Sequence, residues 1–141
     1  EALCQDVARK RKQVLRSSEY TAADYEQAWH AFVKYIDYCM EQSRGLHIAN
    51  FCKVGWRLEP QRLTPPIRHP FFKLTEVFCQ NFLTEEATRR HQAIVKAPES
   101  ELCVFEPFNY SKATVRFADG LTKDQVFTFT RNLVQRLGEV I

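Results

Sequence analysis

Apolar residues recur at helical spacing through most of the chain. Between Tyr25 and Met40 they follow positions i, i+3, i+4 and i+7 without a break, which predicts an amphipathic helix. Thr21 and Asp24 form a capping-box-like start for this helix, and Gly45 lies where a helix stop is expected. The pattern therefore predicts a long helix with a defined beginning and end.

The end of the chain repeats this plan. A candidate helix over Ala2–Leu15 precedes the long helix, and a candidate helix capped by Asn109 or Ser111 and stopped at Gly120 precedes a second long one. The second long helix begins with the capping box T-K-D-Q at Thr122 and keeps helical period to the end of the chain. We interpret this last part of the chain as an internal repeat of residues 2–42, in which the strands that would follow are missing because the chain ends. Because the chain opens without Met and stops inside a helical pattern, we also interpret it as a fragment of a longer protein.

The stretch from Gly45 to Pro60 has strand periodicity instead, because apolar residues recur there at every second position. Asn50 separates two such runs, and Asn tolerates the left-handed backbone of a tight turn. The prolines in residues 59–70 exclude a helix and predict a loop or arm, after which Phe71–Leu74 forms a third strand. The period-two positions of the predicted hairpin are Leu46, Ile48, Val54 and Trp56.

Two short helices are predicted after the third strand. Thr75 can cap the first, and Thr84, Glu85 and Glu86 begin the second, which has acidic residues in its first turn and runs to about Lys96. The apolar run Leu102–Phe105 is expected to be an extended linker. Strands followed by helices in this order indicate an α+β protein.

Composition fits one ordinary folded domain or two small ones. The chain has 141 residues, of which 45% are hydrophobic and 13% aromatic, enough for a packed core. The formal net charge of +3 permits an acidic partner without demanding nucleic acid. No apolar run is long enough to predict a transmembrane helix. The five scattered cysteines include no C-x-x-C pair, which favours reduced thiols in the cytoplasm over a disulfide framework.

Two groups of basic residues are candidate contacts for an acidic partner. The first is a run in the N-terminal helix, which is also typical of a solvated helix face. The second surrounds the proline-rich loop. An ordinary solvated loop is the alternative there, although minor-groove binders do place Arg and Pro on such arms. The candidate residues are Arg9, Lys10, Arg11, Lys12, Arg57, Arg62, Arg68 and His69.

No residue pattern predicts catalysis or a cofactor. Glycine-rich phosphate loops and nucleophile elbows are absent, and the paired carboxylates Glu85 and Glu86 lie in the first turn of a helix. The His and Cys residues lack the close pair that metal sites usually contain. Trp29 and Phe32 could stack on bases, but their place on the apolar side of a helix favours core packing. We therefore expect no enzyme, no metal and no cofactor.

The order of elements resembles the HU/IHF-type histone-like fold, in which two helices precede a hairpin, an arm, a third strand and a short helix. I-A-N-F-C-K-V (48–54) resembles the HU strand motif V-x-I-P-G-F-G-x-F, although Asn50 and Cys52 replace its turn glycines. R-H-P-F-F-K-L-T-E-V-F (68–78) resembles the coiled-coil-domain-containing protein 81 type, in which two HU-like domains stand in tandem. F-N-Y-S-K-A (108–113) resembles the start of the second domain.

This resemblance implies an HU/IHF-like domain over residues 1–83, with a helix–turn–helix, a three-stranded antiparallel sheet, a shortened arm and a C-terminal helix. Residues 84–106 then form a helical connector and linker, and residues 107–141 form the first helices of a truncated second HU-like domain. Bacterial HU folds are obligate dimers, so a tandem protein could satisfy the same contacts by intramolecular pairing of its HU-like domains.

The tandem eukaryotic type is associated with centrosomes and with the doublet microtubules of cilia and flagella. The resemblance therefore implies a structural protein of the microtubule cytoskeleton, in an axoneme or centrosome, that binds tubulin or neighbouring axonemal proteins. The alternative is a nucleic-acid-binding architectural protein of the HU type. The absent long arm, the low net charge and the absence of a basic stripe along the strands favour the cytoskeletal function. A module that serves only dimerisation is a third possibility.

Overall fold

A computed structural model describes residues 1–15, 21–59 and 67–141, with the side chains of residues 10–15 outside the description. No helix in these ranges has the length and apolar character needed to cross a bilayer. The helices are α1 (Ala2–Leu15), α2 (Ala22–Glu41), α3 (Glu76–Phe82), α4 (Glu85–Ile94), α5 (Tyr110–Phe117) and α6 (Lys123–Val140), with a 3-10 helix at Glu99–Glu101. The strands are β1 (Gly45–Ile48), β2 (Cys52–Leu58), β3 (Arg68–Leu74) and β4 (Phe105–Pro107).

The chain is an α+β protein whose residues gather into two compact units. The helical unit joins residues 1–35 with residues 109–141, and the sheet unit consists of residues 36–108. Helix α2 therefore contributes to both units. A unit of packing can join segments of two domains, so the predicted division into residues 1–83, 84–106 and 107–141 stays a prediction.

The helical unit is held together by apolar contacts between its first and last segments. The rings of Tyr25 and Phe129 lie with their centroids 4.7 Å apart. Asp6 and Arg136 form an ion pair between α1 and α6. Because these contacts join residues far apart in sequence, they define tertiary structure rather than local helix formation. The buried residues of this cluster are Cys4, Val7, Ala8, Tyr25, Ala28, Phe129 and Leu133.

Side chains cap the helices where the sequence predicts caps. The hydroxyls of Thr75 and Thr84 accept hydrogen bonds from backbone N–H groups at the starts of α3 and α4. Asn109 caps α5, and Thr122 and Gln125 form a complete capping box on α6. Each cap satisfies N–H groups that have no partner inside the helix. The caps predicted at Thr75, Asn109 and Thr122 are confirmed, and Thr84 supplies a further one.

The predicted end of α2 is wrong by two residues. The left-handed residue that closes the helix is Ser43, with φ 61°, rather than Gly45. The N–H of Ser43 donates to the Met40 carbonyl, and the N–H of Arg44 donates to the Cys39 carbonyl. This pair of bonds is a Schellman motif. Gly45 instead begins β1.

The strands form one sheet in the order β3-β2-β1-β4. Strands β1 and β2 pair antiparallel, with Leu46 opposite Val54, and Asn50 adopts φ 61° in the turn between them. The predicted hairpin and the function of Asn50 in its turn are confirmed. Side chains alternate between the two faces, and Leu46, Ile48 and Cys52 are buried on the inner one.

The fourth strand corrects the prediction of three strands and of a linker at Leu102–Phe105. Strand β4 pairs parallel to β1, with Gly45 opposite Phe105. Just before it, the N–H of Cys103 donates to the carbonyl of Trp56 at 3.0 Å. A Cβ on Gly55 would lie 2.8 Å from the Cys103 Sγ, so this close approach requires glycine.

Candidate functional site

Two neighbouring strands, β2 and β3, carry four basic side chains on one face of the sheet, around a buried aromatic residue. Strands β2 and β3 pair in a register that places Arg57 opposite His69 and Lys53 opposite Lys73. Between these two pairs, Gly55 lies opposite Phe71. Because side chains alternate along a strand, all four basic residues project from the same face. We call the surface formed by Lys53, Arg57, His69 and Lys73 the cationic face.

The aromatic centre of this face is built by two elements. Phe71 on β3 is buried, and its ring centroid lies 5.9 Å from that of Phe105 on β4. The ammonium group of Lys53 lies over the Phe105 ring, 5.4 Å from its centroid. Strand β4 therefore supplies part of the floor of the cationic face, and it also places an aromatic ring beneath a lysine.

At one end of the cationic face, both basic residues have acidic partners. Arg57 lies 3.8 Å from a carboxylate oxygen of Glu101, and the Nε2 of His69 lies 2.7 Å from Glu59. All four side chains are partly exposed, so water and salt screen these interactions. The charge at this end is thus largely balanced by the protein itself.

The other end has no such balance. Lys53 and Lys73 are both exposed, and within the described ranges neither forms an ion pair. Like charges placed directly opposite each other on two strands destabilise a sheet. The pKa of His91 is lowered by burial and, to a smaller extent, by the positive charge of Lys73. This end is consequently the stronger positive patch.

A shallow cleft of about 350 Å³ adjoins the balanced end. Arg57, His69 and Phe71 line one side, and the chain that follows α4, from Ile94 to Ala97, lines the other. Ile94 is 83% exposed and Lys96 is also exposed. The cleft therefore combines apolar and basic groups beside the cationic face.

The structure brings together only part of the predicted basic site. Arg57 and His69 form a cross-strand pair, as described above. Arg68 projects from the opposite face, where its guanidinium carbon lies 4.8 Å from the centroid of the Trp56 ring. The Trp56 ring in turn donates a hydrogen bond to the Met40 carbonyl at 3.2 Å.

The remaining predicted residues lie elsewhere. Arg9 is exposed on α1, in the helical unit. The side chains of Lys10, Arg11 and Lys12 are outside the described residues, and so is Arg62.

The expectation that no basic stripe follows the strands is wrong. Lys53 and Arg57 stand four positions apart on β2, and His69 and Lys73 stand four positions apart on β3, so each pair shares a face. This spacing is visible in the sequence, but only the register shows that the two strands align their basic residues. Lys53 and Lys73 are therefore the site residues that sequence reasoning missed.

The stacked aromatic pair in α2 belongs to the core. Phe32 is 1% exposed, and Trp29 packs against the buried cluster of the helical unit. Their rings stack on each other with centroids 5.0 Å apart. The prediction of core packing is confirmed, and these rings offer no platform for bases.

Comparison with protein families agrees with the geometry of the sheet and helices. The family model described as CCDC81 eukaryotic HU domain 1 matches residues 4–85, more than half of the chain. The match includes α1, α2, the hairpin, β3 and α3, which are the elements expected of an HU-like domain. Among curated proteins, none matches the chain significantly.

Proposed function

Because the chain belongs to the CCDC81 eukaryotic HU domain 1 family, we propose that it is a non-enzymatic structural protein of the microtubule cytoskeleton. In this proposal it docks on an acidic protein surface, either tubulin or a neighbouring protein of the ciliary or flagellar doublet microtubule. A centrosomal location is the alternative within the same class.

The observation that carries the proposal is a cationic face combined with a short arm. Residues 59–67 alone connect β2 to β3, where bacterial HU proteins have a long arm that grasps DNA. A sheet that keeps its positive charge but lacks the grasping arm is suited to a surface it can meet directly. Tubulin surfaces are acidic, so their charge complements the cationic face.

Strand addition is a less suitable mode of binding for this sheet. The two edge strands, β3 and β4, each contain a proline, Pro70 and Pro107. Proline lacks the N–H that an added strand would need to pair with. The side chains of the cationic face, rather than the strand edges, are therefore the proposed contact.

Cosedimentation with microtubules tests the proposal. The chain should pellet with microtubules at low salt and should be released as salt rises, because exposed charges are screened. An excess of serum albumin, a soluble acidic protein, is added as a competitor to control for non-specific charge attraction. Failure to pellet with microtubules under any of these conditions would contradict docking on tubulin and leave only a neighbouring protein of the doublet as the partner.

Duplex DNA is the second candidate partner, and the aligned basic residues on β2 and β3 favour it. Micromolar binding to duplex DNA with a steep dependence on salt would support this alternative over the cytoskeletal one. Glu59 and Glu101 on the cationic face oppose it, because a phosphate backbone laid along the strands would meet both carboxylates.

We further propose that the two ends of the chain pair within one molecule, as two HU-like domains would. The Tyr25–Phe129 and Asp6–Arg136 contacts in the helical unit support this pairing. Sedimentation of the chain should then give a monomer. A concentration-dependent dimer would instead favour the view that the chain is a dimerisation module.

A further inference from the structure

We propose that the opposed lysines Lys53 and Lys73 are the contact point for a carboxylate-rich, extended segment of the partner protein. The inference rests on the proposed function and names the part of the cationic face that the partner recognises. It commits to glutamate or aspartate side chains on a flexible segment, rather than to a nucleic acid.

The two lysines repel each other, and the described part of the protein does not relieve this repulsion. Lys53 and Lys73 stand directly opposite each other in the β2–β3 register, both exposed. Such a like-charge pair costs the sheet stability. Arg57 and His69, four residues along the same strands, avoid that cost through Glu101 and Glu59. Within the described residues the lysine pair has no carboxylate of its own, so a partner's carboxylate would relieve the repulsion.

An aromatic ring beside the lysines also favours an extended acidic segment. The ring of Phe105 lies beneath the ammonium group of Lys53, at 5.4 Å from its centroid. This contact orients the lysine over an apolar floor. An extended segment could therefore place a carboxylate between the two ammonium groups and an aliphatic stem against Phe105.

The acidic side chains at the balanced end of the cationic face favour a short acidic segment over a phosphate backbone. Along a strand, four residues span roughly 13 Å. A nucleic acid tracking the strands from the lysine pair would reach Glu101 and Glu59 within a few phosphates. A short acidic segment needs only the unbalanced end and can avoid those carboxylates.

The test uses the whole chain, with charge changes at the lysine pair. The double variant Lys53→Gln/Lys73→Gln should bind fluorescent poly-glutamate and microtubules about tenfold more weakly at low salt, because it removes both cations from the contact. Lys112→Gln/Lys123→Gln is the matched control. It removes the same charge from exposed positions in the helical unit and should bind like the unmodified chain.

Stability against denaturant distinguishes the loss of a binding contact from damage to the sheet. Lys73→Glu replaces a repulsive cross-strand pair with an attractive one, so the variant should unfold at higher denaturant concentration while it binds more weakly. Loss of both stability and binding would indicate damage to the sheet and would overturn the proposal.

The outcomes separate the lysine site from the proposed function. Microtubule binding that survives the Lys53→Gln/Lys73→Gln change would overturn the lysine site and leave the cytoskeletal function standing. Poly-glutamate binding that depends on the lysines, without any microtubule binding, would support the site and contradict docking on tubulin. Lysine-dependent binding to duplex DNA in place of poly-glutamate would overturn the site as proposed.

Discussion

The backbone N–H of Leu74 donates a hydrogen bond to the Nε2 atom of His91, at 3.0 Å. The bond joins the last residue of β3 to helix α4. An imidazole can accept at Nε2 only while that nitrogen carries no proton. This bond between α4 and the sheet therefore requires the neutral form of His91.

We expect this bond to make stability depend on pH. Burial, together with the charge of Lys73, lowers the pKa of His91 from its ordinary value of 6.5. Between the lowered pKa and 6.5, the unfolded chain binds more protons at this site than the folded chain does. The stabilisation is therefore fully present above pH 6.5 and is lost as pH falls through the folded pKa. Urea unfolding over a series of pH values measures it.

His91→Gln is the informative variant for this prediction. The amide oxygen of Gln can accept the bond from Leu74 but does not titrate. The variant should retain most of the stability at neutral pH and should lose the component of the pH dependence below 6.5. His91→Leu, which cannot accept the bond, should lose about 1 kcal/mol at neutral pH. An unchanged pH profile in both variants would show that His91 does not control stability.

Substitution of Gly55 should reveal how closely β4 approaches the hairpin. A Cβ at this position would lie 2.8 Å from the Cys103 Sγ and 2.9 Å from the Gly45 Cα. Gly55→Ala should therefore destabilise the sheet unit by about 1–3 kcal/mol in denaturant unfolding. Adding Cys103→Ala should recover part of that loss, because it removes the nearest atom.

Gly120→Ala is the comparison for this effect. Gly120 has φ 79° with no atom near its Cβ position, so only the left-handed backbone opposes a side chain there. Its cost should be about 1 kcal/mol, and Cys103→Ala should leave that cost unchanged. If Cys103→Ala rescued both glycine variants equally, the close approach at Gly55 would not be the cause.

Local signals in the sequence were sufficient for the hairpin and for the N-caps of α3, α5 and α6, but not for the end of α2. Asn50, Thr75 and Thr122 act through neighbours a few residues away, so the residues themselves identify the turn and the helix starts. Strand β4 has no comparable signal. It is only three residues long, and it pairs with β1, sixty residues earlier in the chain (Gly45 opposite Phe105).

The candidate site shows the same limit. Lys53 and Lys73 come from strands joined by residues 59–67, and a shift of one residue in register would send one lysine to the opposite face. The sequence reveals that each strand repeats basic residues at even spacing. Only the paired backbone shows that these repeats coincide, so the lysine pair was missed, whereas Arg57 and His69 were predicted from their place beside the proline-rich loop.

Ser43→Gly should stabilise the protein. Ser43 closes α2 with φ 61°, a conformation that costs an L-residue about 1 kcal/mol and that glycine adopts freely. The gain should approach that amount, because the hydrogen bonds of the Schellman motif use only backbone atoms. Thermal unfolding of the variant beside Ser43→Ala measures it. A destabilised Ser43→Gly would show that the serine hydroxyl, rather than the backbone, closes the helix.

The thiols should differ in their reactivity towards alkylating reagents. Cys103 is partly exposed, whereas burial raises the pKa of Cys52 to about 12 and keeps its thiol protonated. Brief treatment of the native chain with iodoacetamide should modify Cys103 first, and mass spectrometry of peptides locates the label. In denaturant all five should react. The cysteines expected to be protected in the native chain are Cys4, Cys39, Cys52 and Cys79.

Two phenylalanines on α6 test whether residues 109–141 share a core with residues 1–35. Phe129 is 2% exposed against Tyr25, whereas Phe127 is 41% exposed. Phe129→Ala should cost about 3–5 kcal/mol because it leaves a cavity, and Phe127→Ala should cost much less. Both variants replace phenylalanine by alanine in the same helix, so the change in helix propensity is the same in each. If the two variants unfolded at the same denaturant concentration, the contact between Phe129 and Tyr25 would not be part of a common core.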